Sequence, residues 1–213
     1  TKTKQMQYSM EEALREKNFL MKELNHRMKN NLHILSSMIA MKETELGDEI
    51  DLSSLNNQID AFHLVHEKLY QSGGTNRIDA KDYLLSLLEC IFTNHTPMRV
   101  KVESRIEDIL LRAKTAVSFG LIVNEIAANA MKHGFIENRE NRFFITMGMD
   151  AHNACYVLTL GNTGNPFPEE LNLLNIDTKG LSLVCSVVEQ LEGSLQLEKT
   201  PQPVFTITIP AED

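Results

Sequence analysis

Apolar residues in the first third of the chain recur at alternating intervals of four and three, and this periodicity constrains the fold more than any other feature. Because the spacing draws one narrow stripe along a helix, that seam must be buried against other helices. No Gly or Pro occurs before Gly47, so the sequence predicts one long helix. The seam contains two polar positions and runs through Met10, Leu14, Lys17, Met21, Leu24, Met28, Asn31, Leu35 and Met38.

The long helix needs partners, and two arrangements could supply them. An acidic connection at residues 42–51 leads to a second predicted helix, with apolar positions at Leu52, Leu55, Ile59, Phe62, Val65 and Leu69. The two helices could close on each other as an antiparallel hairpin, or two copies of the chain could form a dimeric four-helix bundle. The seam begins before any partner helix is available in the chain, which favours the homodimer.

Turn-forming residues at 71–76 separate this helical region from the rest of the chain. We therefore place a helical dimerisation domain at residues 1–72 and a second domain at residues 77–213. The order of elements in the second domain predicts an α+β sandwich with helices on one face of a mainly antiparallel sheet. The predicted helices are 80–92, 113–133 and 180–191, the last ended by Gly193, and the predicted strands are 99–106, 142–149, 156–160, 194–197 and 204–209.

Composition excludes several classes of protein. With 21 Lys and Arg against 29 Asp and Glu, the net charge of −8 argues against a protein that coats nucleic acid. No stretch approaches the about 20 apolar residues that span a bilayer. Three widely spaced cysteines have no metal-binding pattern and indicate a reducing compartment. Because the chain begins with Thr1, we expect a cytoplasmic fragment of a longer protein whose sensing part lies upstream.

The first candidate site lies in the long predicted helix. His26 is off the apolar seam and is flanked by Arg27, Lys29 and Asn30. Neighbouring cations favour a neutral imidazole, which is a nucleophile, and they also suit an incoming phosphoryl group. Asn30, one turn along, could orient a water molecule for the reverse hydrolysis. On its own, such a histidine is usually part of an ordinary polar helix face.

The second candidate site lies on the helix predicted at 113–133. Glu125 and Asn129 are four residues apart and share a helix face, and Lys132 and His133 follow one turn later. A carboxylate, an amide oxygen and a lysine on one face could hold Mg²⁺ and triphosphate oxygens. A buried helix with a polar edge explains the same pattern equally well.

Two glycine-containing turns complete the candidate sites. Gly164 lies in the turn after the strand predicted at 156–160, where Asn162 is also found. Gly180, Leu181 and Ser182 open the last predicted helix, whose free backbone N–H groups could bind phosphate. Each turn alone is weak evidence, because plain loops have the same composition.

Taken together and in this order, the motifs resemble the two-component sensor histidine kinases. The match is to the subgroup with a His-Arg-x-Lys-Asn-Asn-Leu phosphoacceptor box, related to the HWE kinases, which carries a GHKL-type (Bergerat-type) α+β ATP-binding domain. The resemblance covers roughly residues 16–209. It is carried by the segments HRMKNNL at 26–32, FHLVHEKLY at 62–70, NEIAANAMKHGF at 124–135, GNTGNPFP at 161–168 and KGLSLV at 179–184.

The resemblance implies a role for each candidate residue. His26 would accept a phosphoryl group from ATP and pass it to an aspartate on a response-regulator receiver domain. Asn129 would be the Mg²⁺ ligand, and residues 169–179 would form a lid over the nucleotide. The remaining implied nucleotide-binding positions are Glu125, at the start of the N box, Lys132, His133, Asn162, Gly164, Gly180, Leu181 and Ser182.

Some positions depart from the family pattern. Asn162 stands where the family has an aspartate that accepts a hydrogen bond from adenine, and Pro166 replaces a glycine. Arg27 stands where many family members have a carboxylate, which leaves Glu23 and Glu125 as alternative general bases. The departures support an alternative function, a signalling scaffold or phosphatase that acts on a response regulator with weak or no use of ATP. A Ser/Thr kinase of the anti-sigma kind would leave the His26 helix unexplained.

Overall fold

The computed structural model describes residues 77–94, 99–168 and 179–211 of the chain. It also describes single positions in the first unit, which are 4, 6, 7, 10, 13, 15, 17, 59, 61, 63–65, 67 and 68. The chain divides into two compact units, Thr1–Asn76 and Arg77–Asp213. All described positions of the first unit are helical, with Ala61 and Val65 buried one turn apart. No helix among the described residues is long and apolar enough to cross a membrane.

The second unit is built on a five-stranded sheet. Its strands are β2 (Val100–Ile106), β4 (Asn141–Asp150), β5 (Cys155–Asn162), β6 (Ser194–Glu198) and β7 (Val204–Pro210), in the order β2-β4-β5-β7-β6. The pair β2 and β4 is parallel, and the other pairs are antiparallel. The sheet is therefore mixed, and the prediction of a mainly antiparallel sheet holds for all strands but β2.

Alternating side chains give the sheet one buried face. In β4, Phe143, Ile145 and Met147 are buried, whereas Phe144 between the first two is half-buried and Thr146 between the last two is exposed. Strands β5 and β7 alternate in the same way. This period of two is the expected pattern for a sheet that is covered on one side only.

The described residues of the second unit form three α-helices: α1 (Ala80–Asn94), α2 (Ala113–Asn129) and α3 (Lys179–Gln190). Aromatic pairs connect the helices to the buried face of the sheet. The rings of Phe92 in α1 and Phe143 in β4 are 5.3 Å apart, and those of Phe119 in α2 and Tyr156 in β5 are 6.1 Å apart. Helix α2 is buried on most sides, which its run of Ala, Ile and Val residues permits.

Two short strands were not predicted from the sequence. Strands β1 (Arg77–Asp79) and β3 (Leu110–Arg112) pair antiparallel in a separate two-stranded sheet. Each is only three residues long with a single buried central side chain, Ile78 and Leu111, so neither produces a recognisable alternation. The Asp79 carboxylate accepts a hydrogen bond from Asp82 N–H at 2.8 Å, which caps the start of α1.

The ends of two helices differ from the prediction. Helix α2 stops at Asn129, and residues Ala130–Gly134 form a π-helical turn where a continuous helix to residue 133 was expected. Helix α3 ends at Gln190, and its left-handed residue is Glu192 (φ 55°) rather than Gly193. Gly193 N–H bonds to Val188 O and Glu192 N–H to Glu189 O, both at 2.9 Å, which is a Schellman motif.

Candidate functional site

Helix α2 carries the acidic and amide side chains of the candidate site. Glu125 is buried, with 4% of its surface exposed, and Asn129 lies one turn further on the same helix face. Asn129 Nδ2 is a buried donor that has no hydrogen-bond partner in the described part of the chain. A buried amide donor without a partner destabilises a folded protein. An acceptor oxygen placed at this site would remove that cost.

The first turn of α3 packs against this pair. A Cβ atom on Gly180 would lie 2.6 Å from Glu125 Oε2 and 4.0 Å from Asn129 Nδ2. A glycine at this position therefore leaves the Glu125 carboxylate in place, and a larger residue would displace it. Leu181 is buried and Ser182 is exposed, so the part of this turn that faces Glu125 and Asn129 is the backbone at Gly180.

Lys132 and His133 lie on the π-helical turn that follows Asn129, and both are exposed. The turn closes with a hydrogen bond from Phe135 N–H to Ala130 O at 2.8 Å. Single π-helical turns inside α-helices are frequent at functional sites, because the extra residue redirects the side chains that follow it. The redirected side chains include those of Lys132 and His133, which come three and four residues after Asn129.

Asn162, at the end of β5, is buried against the end of the π-helical turn. Its Nδ2 donates to Thr163 O at 3.1 Å, and it would contact any Cβ atom placed on Gly134. This hydrogen bond uses one of the two N–H donors of the amide. Oδ1 can only accept, as an aspartate oxygen would in this position.

The loop after β5 is held on the same turn. Gly164 has a φ of +123°, which a residue with a side chain rarely adopts, and its Cα lies against the Gly134 carbonyl. Asn165 N–H donates to Gly134 O at 2.8 Å, and Asn165 Nδ2 donates to His133 O at 3.1 Å. The end of α2, its π-helical turn and the Gly164 loop therefore form one connected surface.

The residues present fit a nucleotide that is bound through Mg²⁺. An amide beside a buried carboxylate supplies the oxygen ligands that Mg²⁺ prefers, and Mg²⁺ usually completes its coordination with water and phosphate oxygens. The observations that support this fit are Asn129 Nδ2, which has no partner among the described residues, and the close approach of Gly180 to Glu125. Within the described residues no cluster of three or more His, Cys, Asp or Glu side chains could hold a metal by protein groups alone.

The structure brings Glu125, Asn129 and Gly180 together, and it joins Asn162 and Gly164 to the turn that carries Lys132 and His133. His26, Arg27 and Asn30, the predicted phosphoacceptor group, lie outside the described residues, and so does the predicted lid apart from the backbone of its last residue.

Sequence reasoning missed two residues of this surface. Gly134 permits the close approach of Asn162, and Asn165 ties the loop to the turn. A glycine directly after Lys132 and His133 is a helix-end signal that could have drawn attention to Gly134. Nothing in the sequence around Asn165 indicates its partner, because His133 is far from it along the chain.

Comparisons with known proteins agree on one family. Residues 23–95 match the family HisKA_2, described as "Histidine kinase". The chain is 25% identical over 184 residues to blue-light-activated histidine kinase 2 of Erythrobacter litoralis. It is 24% identical over 196 residues to the sensor histidine kinase PdtaS of Mycolicibacterium smegmatis. These alignments cover 83% and 89% of the chain but only 52% and 38% of the two relatives.

A solved structure has the same fold over most of the chain. The histidine kinase domain of the Erythrobacter litoralis EL346 blue-light activated histidine kinase superposes with a TM-score of 0.67 at 22% sequence identity. The match covers 93% of this chain and 94% of that domain. The α+β core is therefore the fold of a histidine kinase domain.

Proposed function

Because the chain belongs to the histidine kinases, we propose that it uses ATP with Mg²⁺ to phosphorylate His26 and then passes the phosphoryl group to an aspartate of a response-regulator receiver domain. The proposal combines the family with the surface built around α2. The chain spans about half or less of the length of these two relatives.

One observation carries the nucleotide half of the proposal. Asn129 Nδ2 is buried and has no partner among the described residues, and it lies near the carboxylate of Glu125 and Gly180. A phosphate oxygen would accept a hydrogen bond from that donor. Burial strengthens the resulting interactions, because fewer water molecules compete for the same groups.

The chain's own groups have distinct roles in the proposed reaction. Asn129 and Glu125 hold the metal and its waters, and the α3 backbone that starts near Gly180 donates N–H groups to phosphate oxygens. Lys132 and His133 lie on the adjoining exposed turn, where a cation stabilises the phosphates. Mg²⁺, when bound, neutralises negative charge on the phosphates.

The acceptor half of the proposal rests on His26 and the residues beside it. A neutral imidazole nitrogen of His26 forms a P–N bond as the bond between the γ-phosphorus and the bridging oxygen breaks and ADP leaves. Arg27 offers positive charge to the transferred group, and Asn30 orients water in the reverse hydrolysis. Glu23 and Glu125 are the two candidates for the base that removes the imidazole proton.

We also propose that two copies associate through their N-terminal helices. Met6 and Met10, one turn apart on the first helix, are each 76% exposed in the single chain. Burying such side chains in a second copy gains about 1.5–3 kcal/mol for each fully buried methionine. Sedimentation at micromolar concentration should give a dimer, and a monomer would contradict this part of the proposal.

The decisive experiment is incubation with γ-labelled ATP and Mg²⁺, with and without an added receiver domain. We expect acid-labile label on the parent protein and none on His26→Ala. His33→Ala, a substitution in the same predicted helix, serves as the matched control and should keep its label. A parent protein that acquires no label at millimolar ATP would overturn the proposal.

A second candidate function is a receiver-binding scaffold or phosphatase with weak or no use of ATP. It is favoured by the neutral amide at Asn162, one of whose two N–H groups donates to Thr163 O, and by Pro166, which lacks an N–H group. Calorimetry with ATP and Mg²⁺ separates the two functions. Micromolar affinity supports the kinase, and no binding at millimolar nucleotide supports the scaffold.

A further inference from the structure

Asn165 hydrogen-bonds to two consecutive carbonyl groups at the end of the π-helical turn. Its N–H donates to Gly134 O at 2.8 Å, and its side-chain Nδ2 donates to His133 O at 3.1 Å. The last carbonyls of any helix have no partner within the helix and must find one elsewhere. A residue from a separate loop therefore supplies the C-terminal cap of the segment that carries Lys132 and His133.

The bonds from Asn165 add to other contacts at the end of this turn. Within it, Phe135 N–H donates to Ala130 O at 2.8 Å, which is the wide pairing of a π-helix. The Phe135 ring packs against Phe92, and Ile136 N–H donates to Asn141 Oδ1 at 2.9 Å. The two bonds from Asn165 differ from these contacts in acting directly beside the exposed side chains of Lys132 and His133.

Gly164 explains how the loop reaches the turn. Its φ of +123° and the contact of its Cα with the Gly134 carbonyl place the following residue within hydrogen-bonding distance of both carbonyls. A side chain at residue 164 would occupy the position of that carbonyl and push the loop away. Gly164 thus lets the loop come close to the turn, and Asn165 forms the hydrogen bonds that attach the loop to it.

We infer that Asn165 is a positioning residue, which holds the π-helical turn and thereby orients Lys132 and His133 toward a bound nucleotide. The part of this inference that concerns a nucleotide rests on the proposed function. The part that concerns the helix cap rests only on the hydrogen-bond geometry. Asn165 is exposed, so the side-chain bond can be removed without opening the core. Its role is therefore separable from folding.

The test compares Asn165→Ala and Asn165→Asp with the parent in the full chain. Neither variant can donate to His133 O, and the aspartate also brings an oxygen against that carbonyl. Asn153→Ala is the matched control, because Asn153 Nδ2 likewise makes an exposed hydrogen bond, to Asp150 Oδ2 at 2.7 Å. Asn153 lies in the β4–β5 hairpin, at the opposite end of β5 from residue 165.

Three measurements report on the cap. Amide hydrogen exchange at Phe135 and at residue 165 should become about fivefold faster in Asn165→Ala than in the parent. This factor corresponds to the loss of one neutral hydrogen bond. The dissociation constant for ATP with Mg²⁺ from calorimetry should rise by about the same factor. The KM for ATP in autophosphorylation should rise with it, whereas kcat should stay within about twofold of the parent.

Exchange at Phe135 that is as slow in both Asn165 variants as in Asn153→Ala would overturn the inference. If the parent binds ATP, an Asn165→Ala variant that binds it with the same affinity would also overturn the inference. A parent that binds no nucleotide contradicts the proposed function instead, and faster exchange in Asn165→Ala then still supports the cap.

Discussion

Gly180, at the start of α3, lies against the carboxylate of Glu125 in α2, and a Cβ atom on the glycine would be 2.6 Å from Glu125 Oε2. The two residues come from helices that meet in the core of the second unit. The contact lies near Asn129, whose buried amide donor has no partner within the described residues. This contact supports the first prediction.

Gly180→Ala should weaken the binding of ATP with Mg²⁺ about tenfold, because the new methyl group displaces the Glu125 carboxylate. The carboxylate is the end of a flexible side chain and can move, so the free energy of unfolding should fall by less than about 1 kcal/mol. Calorimetry and urea unfolding measure the two effects. Ser186→Ala, an exposed substitution in the same helix, is the control, and equal affinity in both variants would contradict the prediction.

Gly120→Ala should destabilise the protein by about 2 kcal/mol, because the added Cβ would overlap the hydroxyl of Tyr83, which is fully buried in α1. In a Tyr83→Phe background the same substitution should cost about 1 kcal/mol less, since the ring carbon Cζ then becomes the nearest atom at 3.0 Å. Urea unfolding of the four proteins completes the cycle. Additive effects would show that the hydroxyl is not the obstructing group.

Substitutions at two adjacent residues at the end of α3 should change the free energy of unfolding in opposite directions. Glu192→Gly should stabilise the fold by about 0.5 kcal/mol, because Glu192 has a left-handed φ of 55° that glycine adopts without strain. Gly193→Ala should destabilise by about 2 kcal/mol, because its Cβ would lie 2.6 Å from the backbone oxygen of Thr208. Thermal unfolding measures both, and the same sign for both would disprove the assignment of the cap.

Replacing Asn124 by leucine should raise the free energy of unfolding by about 1 kcal/mol. Asn124 is 1% exposed, and neither its Oδ1 nor its Nδ2 has a hydrogen-bond partner in the described part of the chain. A nearly isosteric apolar side chain removes the desolvation cost of those two atoms. A destabilised variant, in urea unfolding at neutral pH, would mean that the amide has a bound water or another partner in solution.

Stability should depend on Asp150 at low pH. A hydrogen bond from the Asn153 side chain, together with backbone N–H groups of Asn153 and His152, lowers the pKa of Asp150 in the folded state. A lowered folded-state pKa gives a stabilisation that is complete above the ordinary pKa of 3.8 and is lost as the pH falls through the folded value. The urea midpoint of Asp150→Asn should therefore decrease less than that of the parent between pH 5 and about pH 2. Parallel decreases would exclude this contribution.

Local sequence patterns predicted most elements of the second unit. Buried and more exposed side chains alternate along most of β4 and β7, and the positions of both strands and of α1 were predicted to within two residues. The mixed strand order was not predictable in this way. The parallel pairing of β2 with β4 joins strands that are separated by the whole of α2, and nothing in either strand specifies that neighbour.

The sequence by itself determined which residue types are present for the proposed chemistry: a histidine in a basic helical segment, a carboxylate and an amide one helical turn apart, and two glycine turns. Those patterns are local, because a helix face or a turn depends on residues within a few positions of each other. Only the tertiary structure decided that Gly180 faces Glu125 and that Asn165 caps the turn after Asn129. Both contacts join distant segments, and their partners are set by how helices and loops pack on the sheet.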